Sequence, residues 1–221
     1  MSADLSAAPP LMCLTHDGAS LSHADQTRAL LAAGARWIQL RMKDADHATW
    51  LATARDVVSA CRAAGATCII NDSVDIALSA DADGVHLGKL DGDWTAARAR
   101  LGPDKILGGT VNDADAARRA AACGSLDYVG IGPWRFTTTK KNLAPVLGPE
   151  GITPLLPLLN GLPAWVIGGI YPDDLPAIRA LGVRGVAVSS ALFSANHVHT
   201  RHAAFLAAWS SESAPIRAIR G

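Results

Sequence analysis

Short apolar runs alternate with longer Ala-rich segments along the chain. The apolar runs fall at 11–15, 37–41, 67–71, 84–87, 106–110, 128–132, 164–168 and 185–189. Their length and continuous hydrophobicity fit strands buried on both faces. The segments between them carry helical periodicity. In one, Trp50, Leu51, Ala54, Val57, Val58 and Cys61 recur on a single helical face. Further helices are expected to begin near Ser22, Thr95, Asp113, Pro172 and Arg201. Asp113 and Asp173 stand at N-caps or in first turns, where a carboxylate meets the positive end of the helix dipole. Gly34, Gly65, Gly124 and Gly182 stand where four helices end, because glycine adopts the left-handed conformation that closes a helix. Prolines interrupt 153–157, so the pattern leaves the sixth helix undefined.

Eight strands alternating with helices imply parallel βα units. A closed barrel and an open, doubly wound sheet both satisfy that rhythm. The polar residues favour the barrel. Arg41 and Lys43, Asn71 and Asp72, His86, Thr110, the 137–140 cluster, Gly169, and Ser189 with Ser190 all collect at C-terminal ends of strand-like runs. A barrel gathers those ends around one mouth, whereas the outer strands of an open sheet lie too far apart to share a site. The expected fold is an α/β, (β/α)8 TIM barrel forming a single domain over 1–221, with loose ends at about 1–10 and 211–221.

Composition narrows the partners. Hydrophobic residues make up 49% of 221 residues, enough for a substantial core. Lys and Arg together number 20, as do Asp and Glu, so the formal net charge is zero. That balance argues against a nucleic-acid partner, which calls for a strongly basic face, but permits a local basic pocket. Cys13, Cys61, Cys68 and Cys123 form no Cys-x-x-Cys motif and no zinc-like spacing, so free thiols in a reducing compartment are expected. Residues 1–10 lack the basic and apolar regions of a signal peptide, and no apolar stretch is long enough to span a bilayer. The expectation is a cytoplasmic protein with no membrane partner.

Candidate chemistry concentrates in four places. Gly132-Pro133-Trp134-Arg135-Phe136-Thr137-Thr138-Thr139-Lys140-Lys141 follows a buried run and presents three hydroxyls and two ammonium groups, suited to a phosphate oxyanion. Gln39, Arg41 and Lys43 alternate, so on a strand they share one face, and three donors on that face call for an anion or solvent. Asn71-Asp72 and Asp91 place carboxylates after adjacent strands, where they can share a hard cation such as Mg²⁺. Gly168-Gly169 and Val188-Ser189-Ser190 end the last two runs, where barrels frequently bind phosphate through backbone N–H groups. His197, His199 and His202 read as a solvated face beyond the last strand, and His86 as part of the mouth wall. No nucleophile–base arrangement is evident.

Taken together, Gln39-Leu40-Arg41-Met42-Lys43, Ile70-Asn71-Asp72, Ala82-Asp83-Gly84-Val85-His86-Leu87-Gly88, Gly132-Pro133 with Phe136-Thr137-Thr138-Thr139-Lys140, and Ile167-Gly168-Gly169-Ile170 resemble the thiamine phosphate synthase family over roughly 37–193. The resemblance implies a (β/α)8 barrel that uses Mg²⁺ to join hydroxymethylpyrimidine diphosphate to a thiazole phosphate, either the carboxythiazole or the hydroxyethylthiazole form, with release of pyrophosphate. It implies a dissociative substitution in which Arg41, Lys43 and Lys140 serve the departing group. It assigns Mg²⁺ to Asp72 and Asp91. It assigns substrate to Gln39, Leu40, Arg41, Met42, Lys43, Asn71, Thr110, Thr137, Thr138, Thr139, Lys140, Gly169, Val188 and Ser189. Thr110 replaces the family's usual Ser, and Lys89 stands where Gln is frequent, adding charge near the diphosphate. A thiazole tautomerase-type isomerase and a non-catalytic sensor are the alternatives. The isomerase would not need the set of Arg41, Lys43, Asp72, Asp91 and Lys140.

Overall fold

The computed structural model describes residues 5–136, 145–193 and 197–211. Its strands are β1 (Leu11–Leu14), β2 (Trp37–Leu40), β3 (Thr67–Asn71), β4 (Gly84–Leu87), β5 (Ile106–Val111), β6 (Tyr128–Ile131), β7 (Ala164–Ile167) and β8 (Gly185–Val188). They pair in chain order, all parallel, and β8 returns to β1 through Leu11↔Val186, Met12↔Ala187 and Cys13↔Val188. The closed (β/α)8 barrel is therefore as expected, and it points every strand's carboxyl end at one mouth.

The helices are α1 (His23–Ala32), α2 (His47–Ala63), α3 (Val74–Ser79), α4 (Trp94–Leu101), α5 (Ala114–Cys123), α6 (Gly148–Ile152), α7 (Leu175–Ala180) and α8 (Val198–Ser210). Ser22, Asp46, Ser73, Asp93 and Asp113 cap the first five through a side-chain oxygen that accepts a backbone N–H. The predicted face of α2 is the one that packs inward, with Ala54, Val57, Val58 and Cys61 buried. Two crossovers differ from the periodicity. α3 is too short for a helical period to show. In the sixth, α6 gives way to a 3₁₀ segment, Thr153–Leu159, containing Pro154 and Pro157. Proline inside an α-helix removes a donor and clashes with the preceding turn, which accounts for the change. Among the described residues no helix is long and apolar enough to cross a membrane, and Cys13, Cys61, Cys68 and Cys123 carry free thiols.

Alternate residues of each strand face opposite ways. Cys13, Ile38, Leu40, Cys68, Ile70, Val85 and Val188 face the helices and build the larger core. Met12, Leu14, Trp37, Ile69, Tyr128, Trp165 and Ala187 fill the barrel interior. Trp37, Tyr128 and Trp165 meet there with ring centroids 5.0 to 5.6 Å apart, two of the pairs edge to face. Gly108 makes room for them: a Cβ at that position would lie 2.2 Å from Tyr128 Cζ.

The N-terminal segment departs from expectation. Leu5 is buried against the interior cluster, and residues 5–10 lie across the base instead of hanging free. Arg184 donates to the Ser6 and Ala8 carbonyls, Trp165 Nε1 donates to Pro9 O at 3.4 Å, and Val186 N–H donates to Pro10 O at 2.8 Å. Each bond satisfies a backbone group that an Ala/Pro-rich stretch cannot pair within itself.

The aromatic interior leads to a stability prediction. Gly108→Ala should lower the urea midpoint, with a loss of about 1–3 kcal/mol or more, because the methyl group overlaps a ring that has no free space to enter. An unchanged midpoint would show that the trio can shift at little cost.

Candidate active site at the barrel mouth

The strand exits bring cationic and anionic side chains together. β2 ends at Leu40, so Arg41 and Lys43 lie just beyond it. Gln39 sits deeper, almost fully buried. Its amide donates to Met12 Sδ at 3.4 Å and also bonds the Tyr128 hydroxyl. The expectation of three donors sharing one strand face is corrected accordingly: Gln39 serves the interior, and the mouth receives Arg41 and Lys43. Leu40 faces the helix layer within the core and Met42 packs against that core, so neither side chain is directed at the mouth.

Asp72 follows β3 in the left-handed region, at φ 69°. A short polar side chain tolerates that conformation better than a branched one. Its N–H donates to His86 O at 2.8 Å, which fastens the turn to β4. The Lys43 ammonium pairs with Asp72 Oδ2. Asp91, after β4, accepts the Gly88 N–H at 2.7 Å, and its carboxyl contacts that of Asp72. Burial first, then the neighbouring Asp72, push the Asp91 carboxyl up to about 6. Two carboxyls in contact, one already costly to ionise, are a donor set suited to a small divalent cation. Among the described residues no cluster of three or more ligating side chains occurs, so further ligands would have to come from substrate oxygens and water.

One wall is a hydrogen-bonded column. Thr110 Oγ1 lies 3.0 Å from His86 Nε2, and His86 Nδ1 lies 3.1 Å from the Tyr128 hydroxyl. The hydroxyl retained at Thr110 therefore has a protein partner. Asn71 closes β3 on the inward face beside His86. Lys89 points its ammonium at Asp113, 3.8 Å away, which draws its charge towards the start of α5.

Opposite, Gly168 and Gly169 leave β7 with φ of 103° and 67°. A Cβ on Gly169 would lie 2.5 Å from Arg135 Cγ, so only glycine lets the two loops touch. Arg135 donates to Gly169 O at 2.9 Å and forms a two-pronged pair with Asp174 at 2.6 and 2.7 Å. Its guanidinium also lies 5.6 Å from the Tyr171 ring centroid. Ser189, after β8, donates to Thr15 O at 3.4 Å. Val188 is buried towards the helices, which leaves its backbone as the part able to meet a ligand at the mouth.

The mouth thus assembles Arg41, Lys43, Asn71, Asp72, Asp91, Thr110, Gly169 and Ser189 from six strand exits. Thr137, Thr138, Thr139 and Lys140 lie outside the described residues. Sequence reasoning passed over two groups. One is Thr15, Asp17 and His23 beside Arg41, although polar residues do follow β1. The other is the Arg135–Asp174 clasp, whose partners are remote in sequence.

A parallel barrel whose mouth sets cations against a carboxylate pair has the chemistry of an enzyme that handles phosphorylated small molecules. Comparison with known proteins makes this specific. The thiamine monophosphate synthase family model matches residues 11–192, and the chain belongs to that family. It is 44% identical to a thiamine-phosphate synthase of Bacteroides fragilis over 189 residues, covering 84% of this chain and 92% of the relative. It is also 44% identical to one of Myxococcus xanthus, covering 85% and 86% of the two chains. Among solved structures, the thiamine phosphate pyrophosphorylase from Pyrococcus furiosus superposes with a TM-score of 0.80 at 29% identity, covering 90% of this chain and 94% of that one.

The carboxyl pair predicts a pH-dependent difference in the metal-free protein. Asp91 is raised above its ordinary 3.8, so its protonated form favours the fold. That contribution is complete below 3.8 and is lost as pH rises through about 6. Asp91→Asn stays neutral throughout. The variant should therefore melt higher than wild type above pH 6, and the advantage should vanish on acidification. Melting curves in chelator across that range check it; a constant offset would contradict it.

Proposed function

We propose that the mouth joins hydroxymethylpyrimidine diphosphate to a thiazole phosphate, forming thiamine phosphate and releasing pyrophosphate. The observation that carries this reading is the placement of Lys43 against the Asp72–Asp91 carboxyl pair, with Arg41, paired to Asp17, at the same strand exit. An isomerase acting on a thiazole phosphate alone has no use for that combination.

In this reading Arg41, Lys43 and Lys140 receive the diphosphate, and Asn71 and Thr110 line the pyrimidine side. Thr137, Thr138, Thr139, Gly169, Ser189 and the backbone of Val188 hold the thiazole phosphate. Asp72 and Asp91 would hold Mg²⁺, which supplies charge neutralisation to the diphosphate when bound. The bond between the pyrimidine methylene and the diphosphate oxygen breaks with its electron pair going to the oxygen. The thiazole nitrogen then gives its lone pair to the methylene carbon. This course calls for no nucleophile from the protein. Its residues orient two anions around one carbon and offset the charge that develops on the leaving group. The free thiols and the charge-balanced composition fit a cytoplasmic enzyme of small phosphorylated substrates.

Wild-type protein mixed with both substrates and Mg²⁺ should yield pyrophosphate and thiamine phosphate. Failure to make either product would turn the assignment towards the isomerase or the sensor. Asp72→Asn and Asp91→Asn should each lower activity at limiting Mg²⁺ by about tenfold or more, the lower range for a disturbed metal site. Full activity in both variants would remove the carboxyl pair from the mechanism. Arg41→Lys keeps the charge but lacks the planar fork that grips two phosphate oxygens, so it should lose most of kcat while remaining folded. A normal rate would place Arg41 away from the diphosphate.

A further inference from the structure

The exit of β1 carries a hydrogen-bonded ring that none of the roles above uses. We propose that His23 and Asp17 are positioning residues that aim Arg41 at the diphosphate, through a ring that starts on the Arg41 backbone, runs through hydrogen bonds and closes on its guanidinium as an ion pair. This rests on the assignment of Arg41 to the diphosphate.

The direction of each bond follows from the chemistry of its partners. Asp17 Oδ1 lies 3.2 Å from His23 Nε2, and an ionised carboxylate only accepts, so Nε2 carries the proton. Burial lowers the basicity of His23 and keeps the ring neutral, which leaves Nδ1 as an acceptor. Thr15 Oγ1, at 2.8 Å, donates to Nδ1. The same oxygen accepts the Arg41 N–H at 3.0 Å. Asp17 Oδ2 then faces the Arg41 guanidinium at 3.5 Å, and Oδ1 also accepts the Lys43 N–H at 3.2 Å. Every donor in the circuit finds an acceptor; the Thr15 hydroxyl also lies 3.5 Å from Arg41 O, a longer contact than its 2.8 Å bond to Nδ1. The ring fixes the backbone on which both mouth cations are mounted, as well as the direction of one of them.

Its supports are rigid. His23 opens α1, just after the Ser22 cap, and its side chain is only 11% exposed. Thr27 Oγ1 donates to His23 O at 2.9 Å. The buried Gln26 accepts the His16 N–H at 2.7 Å and donates to the carbonyls of His16 and Leu21. The β1–α1 loop is thus held from below and from the side before any ligand arrives. Asp17 is 38% exposed and its contact with the guanidinium is long, so an incoming phosphate oxygen can take over that contact while the hydrogen bonds to the Arg41 and Lys43 backbone stay in place.

The test is a kinetic comparison of His23→Leu, His23→Gln and Asp17→Asn, each alone and combined with Arg41→Ala. His23→Leu should lower kcat by about tenfold to a hundredfold, the range for small misplacements of a binding group. KM for the pyrimidine diphosphate should rise while KM for the thiazole phosphate stays constant. His23→Gln offers both an acceptor and a donor and should recover most of the loss. With Arg41→Ala already present, His23→Leu should cost nothing more, since the two act as one unit. If His23→Leu fails to fold, Asp17→Asn, on the exposed side of the ring, carries the same comparison. The inference is overturned if the folded variants keep wild-type constants. It is also overturned if both KM values rise together, or if the loss persists undiminished beside Arg41→Ala. An Arg41→Ala enzyme of normal activity would defeat the diphosphate assignment itself and remove the ring's purpose with it.

Discussion

The interlocked rings of Trp37, Tyr128 and Trp165 are the contact on which the mouth depends. The interior of an eight-stranded barrel is just wide enough for side chains to fill, and these three are the largest that fill it here. Pairs at this spacing contribute about 0.5–1.5 kcal/mol each beyond the area they bury. Tyr128 also carries a polar end. Its hydroxyl meets Gln39 on one side and His86 on the other, and His86 passes the connection to Thr110. The apolar interior and the polar mouth are therefore one continuous stack, so the height and orientation of the wall residues follow from how the rings pack beneath them.

Above that stack, the arrangement is governed by charge. Lys43 meets Asp72, Asp72 crowds Asp91, and Arg41 leans on Asp17. None of these pairs is a deep ion pair of the kind that stabilises or specifies a core. All stand partly open to solvent, where their net contribution to stability is small. In the proposed reading they hold opposite charges ready to exchange partners when a diphosphate and a cation arrive together. The left-handed Asp72 fits that view, since strained backbone at a strand exit persists where the surrounding bonds hold it for use.

Much of this was legible in the chain. β3 and β4 occupy the very residues expected, and each of the other strands differs by one residue at its C-terminal end, because strand runs buried on both faces are continuous and apolar. Asp72, Asp91, Arg41 and Lys43 could be read as neighbours because parallel closure sends all strand ends to one mouth. The reading went astray where tertiary contact decides. Gln39 alternates with Arg41 in sequence, yet β2 stops between them and the amide is spent inside the barrel. Residues 5–10 have the composition of a loose end but answer unpaired groups at the base, among them Arg184 and Trp165. Asp17 and His23 carry no motif; their bond to each other and to Thr15 exists only once α1 folds back over β1.

The central claim is that Asp72 and Asp91 on one side, and Arg41 and Lys43 on the other, form a single receptor for a diphosphate and its metal. Calorimetric titration of the protein with inorganic pyrophosphate, with and without Mg²⁺, tests it most directly. The account predicts reciprocal linkage: pyrophosphate binds about tenfold or more tightly with Mg²⁺ present, and Mg²⁺ gains by the same factor when pyrophosphate is bound. The gain should disappear in Asp72→Asn. Equal pyrophosphate affinity with and without the metal, after correction for the complex the two form in solution, would contradict it.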